Sequence, residues 1–422
     1  MTQQTRLPAQ DGAVAAAGGY EALAARFRPH FASIAAGAVE RERDHRLPRE
    51  EIRALARAGF GAVRVPVESG GDGASLPQLF ALLTELAAAD SNLSQALRAH
   101  FAFVEDRLVA APGAGRDEWL RRFVDGELVG NSWTEVGAVK VGDVLTRVSP
   151  APDLGPGRFR INGTKYYSTG SIFADWIDTY AERTDTGRRV IAAVRSAQDG
   201  VSHRDDWDGF GQQTTGTGTS TFEDAVLGEA ELIDFEDRFK YQTAFYQAVL
   251  LTVLAGSVRG AQRDFAREVR ERRRTFSHAA APVWREDPQI LQVIGEVDAA
   301  AFAGEAVVER VARALEDAYQ AALDARAGRI TVAEEEQVND LAELASAQGQ
   351  IALTPLAVNA LSHAFDSLAA SATSTAKGLD RHWRNARTAG NHNPWVYKAR
   401  LAGDRAVNGV ELPRVWAIGA SS

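Results

Sequence analysis

Apolar residues recur at three- and four-residue steps from about residue 20 onward, for example at Ile52, Leu55 and Ala56. This period is typical of amphipathic helices that bury one face. A second run of the same kind extends from Leu79 to Leu86. The pattern predicts an N-terminal helical domain over residues 1–122.

The pattern changes in the middle of the chain. The apolar run Val190–Val194 predicts a buried strand. Asn162 and Gly163 follow another strand-like stretch, and this dipeptide favours a tight hairpin turn. We therefore expect a β-domain over residues 123–232.

A helical period returns in the last part of the chain and predicts a C-terminal helical bundle over residues 233–422. Of the seven arginines from Arg259 to Arg274, five are spaced so that they share one face of a single helix. Such a stripe favours a solvated or subunit-facing surface, and a phosphate site is the alternative.

Composition narrows the class of protein. The chain has 422 residues, of which 45% are hydrophobic and 24% charged, which suits two or three packed units. A net charge of -9 gives no general reason to bind nucleic acid. We expect no membrane span, since no run approaches 18 uninterrupted apolar residues. The first residues lack the apolar core of a secretion signal, so we expect a cytoplasmic protein.

Metal and sulfur chemistry are not expected. The chain has no cysteine, which excludes disulfides, cysteine-bound zinc and thiol catalysis. The eight histidines show no metal-ligand spacing that carries an argument, so no metal is expected.

Several short segments occur in an order that resembles the acyl-CoA dehydrogenase superfamily across almost the whole chain. The segments are Gly70–Leu76, Asn131–Glu135, Tyr167–Gly170, Phe222–Leu227 and Arg273–Phe276. The resemblance implies an α+β, acyl-CoA dehydrogenase-like fold with an N-terminal helical domain, a central β-barrel domain and a C-terminal four-helix bundle.

One departure from the dehydrogenases changes the expected activity. Gly390–Pro394, with His392 at its centre, stands where those enzymes carry a catalytic glutamate. This departure favours the flavin-dependent monooxygenase branch of the superfamily, the dibenzothiophene monooxygenase-like enzymes. The resemblance then implies reduced FMN, or alternatively FAD, supplied by diffusion from a separate flavin reductase. It also implies O₂ and a hydrophobic aromatic or heteroatom-containing substrate, with a homotetrameric assembly.

The resemblance also implies a set of flavin contacts. Hydroxyl and backbone donors beside a flavin can support oxygen activation if the site excludes water. For Ser168 and Thr169 the alternative is an ordinary role in a turn. Trp207 is as well explained by packing over the β-domain. The expected cofactor-binding residues are Asn131, Trp133, Thr134, Ser168, Thr169 and Trp207, with Arg273 and Phe276 from a neighbouring subunit.

Three residues are the catalytic candidates: His392, Ser168 and His100. The reference pKa of an imidazole is about 6.5, so His392 can hold or release a proton near neutral pH. A structural histidine at a helix end is the alternative. His100 lies where relatives line the substrate cavity, but Val104 occupies the position of their tyrosine one helical turn later.

Two other functions stay open from the residues. The first is an acyl-CoA dehydrogenase or flavin oxidase with an unrecognised base. The second is a binding or scaffold protein that kept the fold and lost the cofactor.

Overall fold

The computed structural model describes residues 19–137, 140 and 142–413. The prediction that the first residues form no secretion signal concerns residues outside this part. Helices dominate the N-terminal region. Those of the described part are α1 (Gly19–Arg43), α2 (Arg49–Arg57), α3 (Leu76–Ala89), α4 (Ser91–Ala96), α5 (Arg98–Val109) and α6 (Ala114–Val124). The start of α3 is defined by a capping box, in which Ser75 and Gln78 satisfy each other's backbone N–H groups.

One mixed sheet forms the middle of the molecule. Its strands are β1 (Val129–Ser132), β2 (Thr134–Glu135), β3 (Arg147–Pro150), β4 (Arg158–Tyr166), β5 (Trp176–Arg183), β6 (Arg189–Arg195), β7 (Val201–His203), β8 (Ser220–Gly228) and β9 (Leu232–Asp234). The order is β7-β8-β4-β3-β5-β6-β9, with β1 beside β5 and β2 beside β4. The terminal strands β7 and β9 do not pair with each other in the described part, so the sheet is open and the predicted barrel is not confirmed.

The predicted hairpin at Asn162 and Gly163 is wrong. Both residues lie inside β4, which pairs with β3 on one side and β8 on the other. The register shifts between Ile161 and Gly163, so the dipeptide marks a bulge. A Cβ atom on Gly163 would overlap the side chain of Thr146. Glycine is therefore explained here by close packing rather than by a turn.

Long helices form the C-terminal region, although the specific prediction of four in a bundle is not confirmed. The helices are α7 (Gln242–Glu271), α8 (Pro288–Arg326), α9 (Val332–His363), α10 (Asp380–Gly390) and α11 (Trp395–Asn408). Because α7 ends at Glu271, Arg274 lies outside the helix on which the arginine stripe placed it. In length and composition α7 could cross a membrane, but its apolar stretch is mostly buried inside the molecule.

Two contacts between regions define where the site lies. Helix α3 packs on α7, with the rings of Phe80 and Phe245 5.4 Å apart. Helix α10 docks against the loop between β7 and β8, where the Asn385 side chain accepts from the Gln212 N–H at 2.6 Å. The Arg384 guanidinium donates to the Phe210 carbonyl at 2.7 Å. The loop that carries Trp207 is thus held by the helix that leads into His392.

Candidate active site

The segment Asn131–Glu135, called the flavin segment below, runs from β1 into β2, and Trp133 holds it in place. The Trp133 indole N–H donates to Asp178 at 2.8 Å, and Lys165 donates to the Trp133 carbonyl at 3.2 Å. The ring packs against Tyr180 and Tyr246, with centroids 5.9 and 5.8 Å away. Because its polar groups already have partners, only the part-exposed ring of Trp133 is left to meet a ligand.

Asn131 differs from Trp133 in having an unfilled acceptor. Its side chain is buried, and Oδ1 has no hydrogen-bond partner among the described residues. Thr134, in β2, pairs with Tyr166 and is partly exposed. A buried acceptor without a donor is costly, so Asn131 Oδ1 fits a site that a ligand completes.

Ser168 and Thr169 are buried and already bonded within the protein. Ser168 Oγ lies 2.6 Å from Ser132 Oγ, and Thr169 Oγ1 lies 2.9 Å from Thr217 Oγ1. These bonds tie the segment after β4 to β1 and to the loop before β8. The predicted catalytic role of Ser168 would require its hydroxyl to share this short bond with a ligand.

The sequence reasoning did not single out Tyr167, which precedes these two residues. Its backbone is left-handed, with φ of 58°, and its side chain is 47% exposed. A non-glycine residue in this region is strained, and such strain is common at functional sites. Its ring meets that of Trp207 at 6.0 Å, and the Trp207 N–H donates to the Gly211 carbonyl at 2.9 Å. Tyr167 and Trp207 together form an aromatic surface beside the flavin segment.

His392 follows the end of α10, and its backbone N–H donates to the Ala389 carbonyl at 3.2 Å. The side chain is open to solvent on one side. Desolvation by the surrounding protein, and then the Arg98 guanidinium, lower the pKa of His392. The imidazole is therefore neutral at pH 7 and can accept a proton.

Arg98 and Tyr246 connect His392 with the flavin segment. The Arg98 guanidinium lies 5.2 Å from the centre of the Tyr246 ring. That ring in turn contacts Trp133. Neither residue was predicted as part of the site, because a single arginine and a single tyrosine on separate helices carry no local pattern.

His100 has a structural position. Its Nε2–H donates to the Gly61 carbonyl at 2.9 Å, and its Nδ1 accepts from the Val129 N–H at 3.2 Å. The side chain is 1% exposed, and burial lowers the pKa of His100 to about 4. With both ring nitrogens bonded to the backbone, His100 has none left for the predicted contact with a substrate.

Arg273 and Phe276 lie beyond the end of α7 and are exposed. The Phe276 ring is 54% exposed and packs on Trp284 at 5.7 Å. Neither residue makes a hydrogen bond or ring contact with the site residues above. Over residues 19–137, 140 and 142–413, no cluster of three or more histidine, aspartate or glutamate side chains is suited to a metal ion.

Known proteins resemble the chain along most of its length. Residues 21–127 match the family described as acyl-CoA dehydrogenase, N-terminal domain. A probable FMNH2-dependent monooxygenase, SfnC, of Pseudomonas putida is 27% identical over 396 residues, covering 92% of this chain and 94% of the relative. The dibenzothiophene monooxygenase of Rhodococcus erythropolis is 28% identical, covering 89% and 90%.

The fold agrees with these sequences. The crystal structure of FMN-bound TdsC from Paenibacillus sp. A11-2 superimposes with a TM-score of 0.82 at 28% identity, covering 92% of this chain and 98% of TdsC. The chain is thus similar over most of its length to flavin-dependent monooxygenases, and its N-terminal region matches the acyl-CoA dehydrogenase family. The resemblance inferred from the short segments is thereby confirmed.

The residues present fit a flavin. An isoalloxazine ring offers N–H donors, and the unpartnered Oδ1 of Asn131 is a buried acceptor. The exposed ring of Tyr167 and the partly exposed ring of Trp207 offer apolar surface to a planar ligand. The bonded hydroxyls of Ser168 and Thr169 hold this surface in place before any ligand arrives.

Proposed function

We propose that this protein is a reduced-flavin-dependent monooxygenase that uses FMN. Bound reduced FMN supplies two electrons, with which one atom of O₂ enters the substrate and the other leaves as water. A separate flavin reductase delivers the reduced FMN. The observation that carries the proposal is the unfilled, buried Oδ1 of Asn131 in a chain that is similar over most of its length to FMN-dependent monooxygenases.

The residues of the chain have distinct roles in this proposal. Asn131, Thr134 and the segment of Ser168 and Thr169 bind and orient the flavin, while Trp133 braces the segment beside it. Trp207 and Tyr167 exclude water from one side. His392 accepts a proton from the substrate, or holds one near the reacting oxygen, because its ring is neutral at pH 7.

The assembly is also proposed. We infer a homotetramer in which Arg273 and Phe276 of one copy reach the flavin of another. The support is that both side chains are exposed, lie just beyond the end of a long helix, and contact none of the site residues of their own chain. A reductase that draws on NADH works in the cytoplasm, which is the compartment we propose.

The experiment is an anaerobic titration of the purified protein with reduced FMN and, separately, reduced FAD. Oxygen is then admitted with candidate aromatic and heteroatom-containing substrates, and product mass is measured. We expect a nearly colourless protein for which reduced FMN supports turnover at least as well as reduced FAD. A yellow protein with tightly bound FAD that reduces an acceptor dye with acyl-CoA would be a dehydrogenase instead.

A further inference from the structure

Arg98 is a buried cation without a counter-ion. Its side chain belongs to a residue that is 6% exposed, and its Nε is buried without a hydrogen-bond partner. Within the described part of the chain, no carboxylate pairs with it. Burial lowers the pKa of Arg98 to about 10, so the guanidinium stays charged at neutral pH.

The other buried arginines of the described residues are all paired. Arg64 bonds Glu105 at 3.0 Å, and Arg238 bonds Asp178 at 2.8 Å. Each member of this set has a carboxylate within salt-bridge distance: Arg41, Arg64, Arg107, Arg238 and Arg381. The buried arginines of the described residues are therefore paired with carboxylates, and Arg98 is the exception.

The groups around Arg98 do not replace a carboxylate. The ring of Tyr246 lies 5.2 Å away, and a cation–π contact is weaker than an ion pair. His392 is neutral and its own pKa is lowered by the Arg98 charge. Gln95, near the end of the preceding helix α4, has a buried Oε1 without a partner. An unneutralised cation and an unfilled amide acceptor thus lie three residues apart in the chain.

We propose that Arg98 binds an oxyanion of the substrate, so that this enzyme oxygenates organic acids with a carboxylate or sulfinate group. A guanidinium presents parallel N–H donors that match two oxygens of such an anion. The inference rests on the proposed function, since it takes the space between His392 and the flavin segment as the substrate site. Arg98 would then fix which atom of the acid faces the flavin.

Stability offers a first way to test this assignment. Methionine fills a similar volume without charge, and replacing an unpaired buried cation in this way relieves desolvation. We expect Arg98→Met to unfold at the same temperature as the wild type or higher. The matched control is Arg64→Met, which leaves the buried Glu105 without its charged partner and lowers the unfolding temperature. A loss in Arg98→Met as large as in Arg64→Met would make Arg98 a structural residue.

Binding is the decisive test, and it needs no turnover. Calorimetry with benzoate, methanesulfinate and the neutral benzamide is run on the wild type, Arg98→Met and Arg98→Lys, with and without FMN. We expect one acid or both to bind, with benzoate preferred over benzamide about 10- to 100-fold. Arg98→Met should remove that preference, and Arg98→Lys should restore part of it.

The outcomes separate this inference from the proposed function. Acid binding that depends on Arg98, without oxygenation by reduced FMN, supports Arg98 as an anion-binding residue and overturns the proposed function. Oxygenation of organic acids at equal rates in wild type and Arg98→Met overturns the inference alone. If Arg98→Met weakens FMN binding and leaves the preference for acids unchanged, the guanidinium serves the flavin, and the inference is wrong.

Discussion

The strand side and the helix side of the candidate site are built differently. On the strand side, Ser168, Thr169 and Trp133 already have hydrogen-bond partners within the protein. On the helix side, Arg98 has no counter-ion and His392 is open to solvent. The comparison indicates a rigid support that exists before binding, next to a group of side chains that a ligand completes. Asn131 is the exception on the strand side, because its buried Oδ1 has no hydrogen-bond partner among the described residues.

The largest expected effect comes from breaking the helix side at His392. We expect His392→Ala to lower the rate of product formation by roughly 10² to 10⁴, the usual range for general acid–base catalysis. FMN binding should survive, because its proposed contacts lie on the strand side. Oxygen consumed without product should leave as hydrogen peroxide, so product and peroxide are measured together.

The control for His392→Ala is His363→Ala, which removes a histidine paired with Asp366 and Glu296 near the surface. Its product rate should equal that of the wild type. Because the pKa of His392 is lowered, we also expect the wild-type product rate to hold as the pH falls from about 8 to about 6. A His392→Ala variant that forms product at the wild-type rate would make His392 a structural residue.

The second prediction concerns the structural histidine, His100. Removing its ring leaves the Gly61 carbonyl and the Val129 N–H buried without partners, so His100→Ala should lose about 2 to 4 kcal/mol of stability. Chemical denaturation measures this loss. His100→Gln, which can keep one of the two bonds, should lose less. Equal stability of His100→Ala and the wild type would contradict the structural role.

The pH dependence of stability has a definite sign at His100. Its folded pKa of about 4 lies below the unfolded value of about 6.5, so the unfolded chain binds more protons between these values. The contribution of His100 is complete above about pH 6.5 and is lost as the pH falls toward 4. The denaturation midpoint of the wild type should therefore fall more steeply over this range than that of His100→Gln.

The smallest expected effect tests whether a second copy completes the strand side. Phe276→Ala should weaken FMN binding about tenfold if the ring packs on the flavin of a neighbour. Phe302→Ala removes another exposed ring, on α8, and should leave the affinity unchanged. Sedimentation accompanies both titrations. A monomer that binds FMN with full affinity would contradict the proposed assembly.

Much of the fold could be predicted from local patterns. The helical periods around Leu55 and Leu83 and the apolar run at Val190 led to α2, α3 and β6, because each element buries one face or both. The flavin segments and the histidine in place of a glutamate could also be found, since short contiguous segments keep their order along the chain. These features led to the resemblance that the relatives confirm.

Tertiary contacts decided the rest. Asn162 and Gly163 have the composition of a turn, but strands on both sides and the nearby Thr146 make them a bulge inside β4. His100 is suited to catalysis by residue type, but two backbone groups from distant parts of the chain occupy its nitrogens.

The same holds for the unpaired cation, Arg98. Six arginines of the described part are buried, and nothing in their local sequence distinguishes Arg98 from the five that are paired. By itself, the sequence determined most of the helices and strands, the order of the three regions and the resemblance to a family, because those depend on neighbours along the chain. Which buried charge lacks a partner depends on which elements pack together in space, and only the tertiary structure decided that.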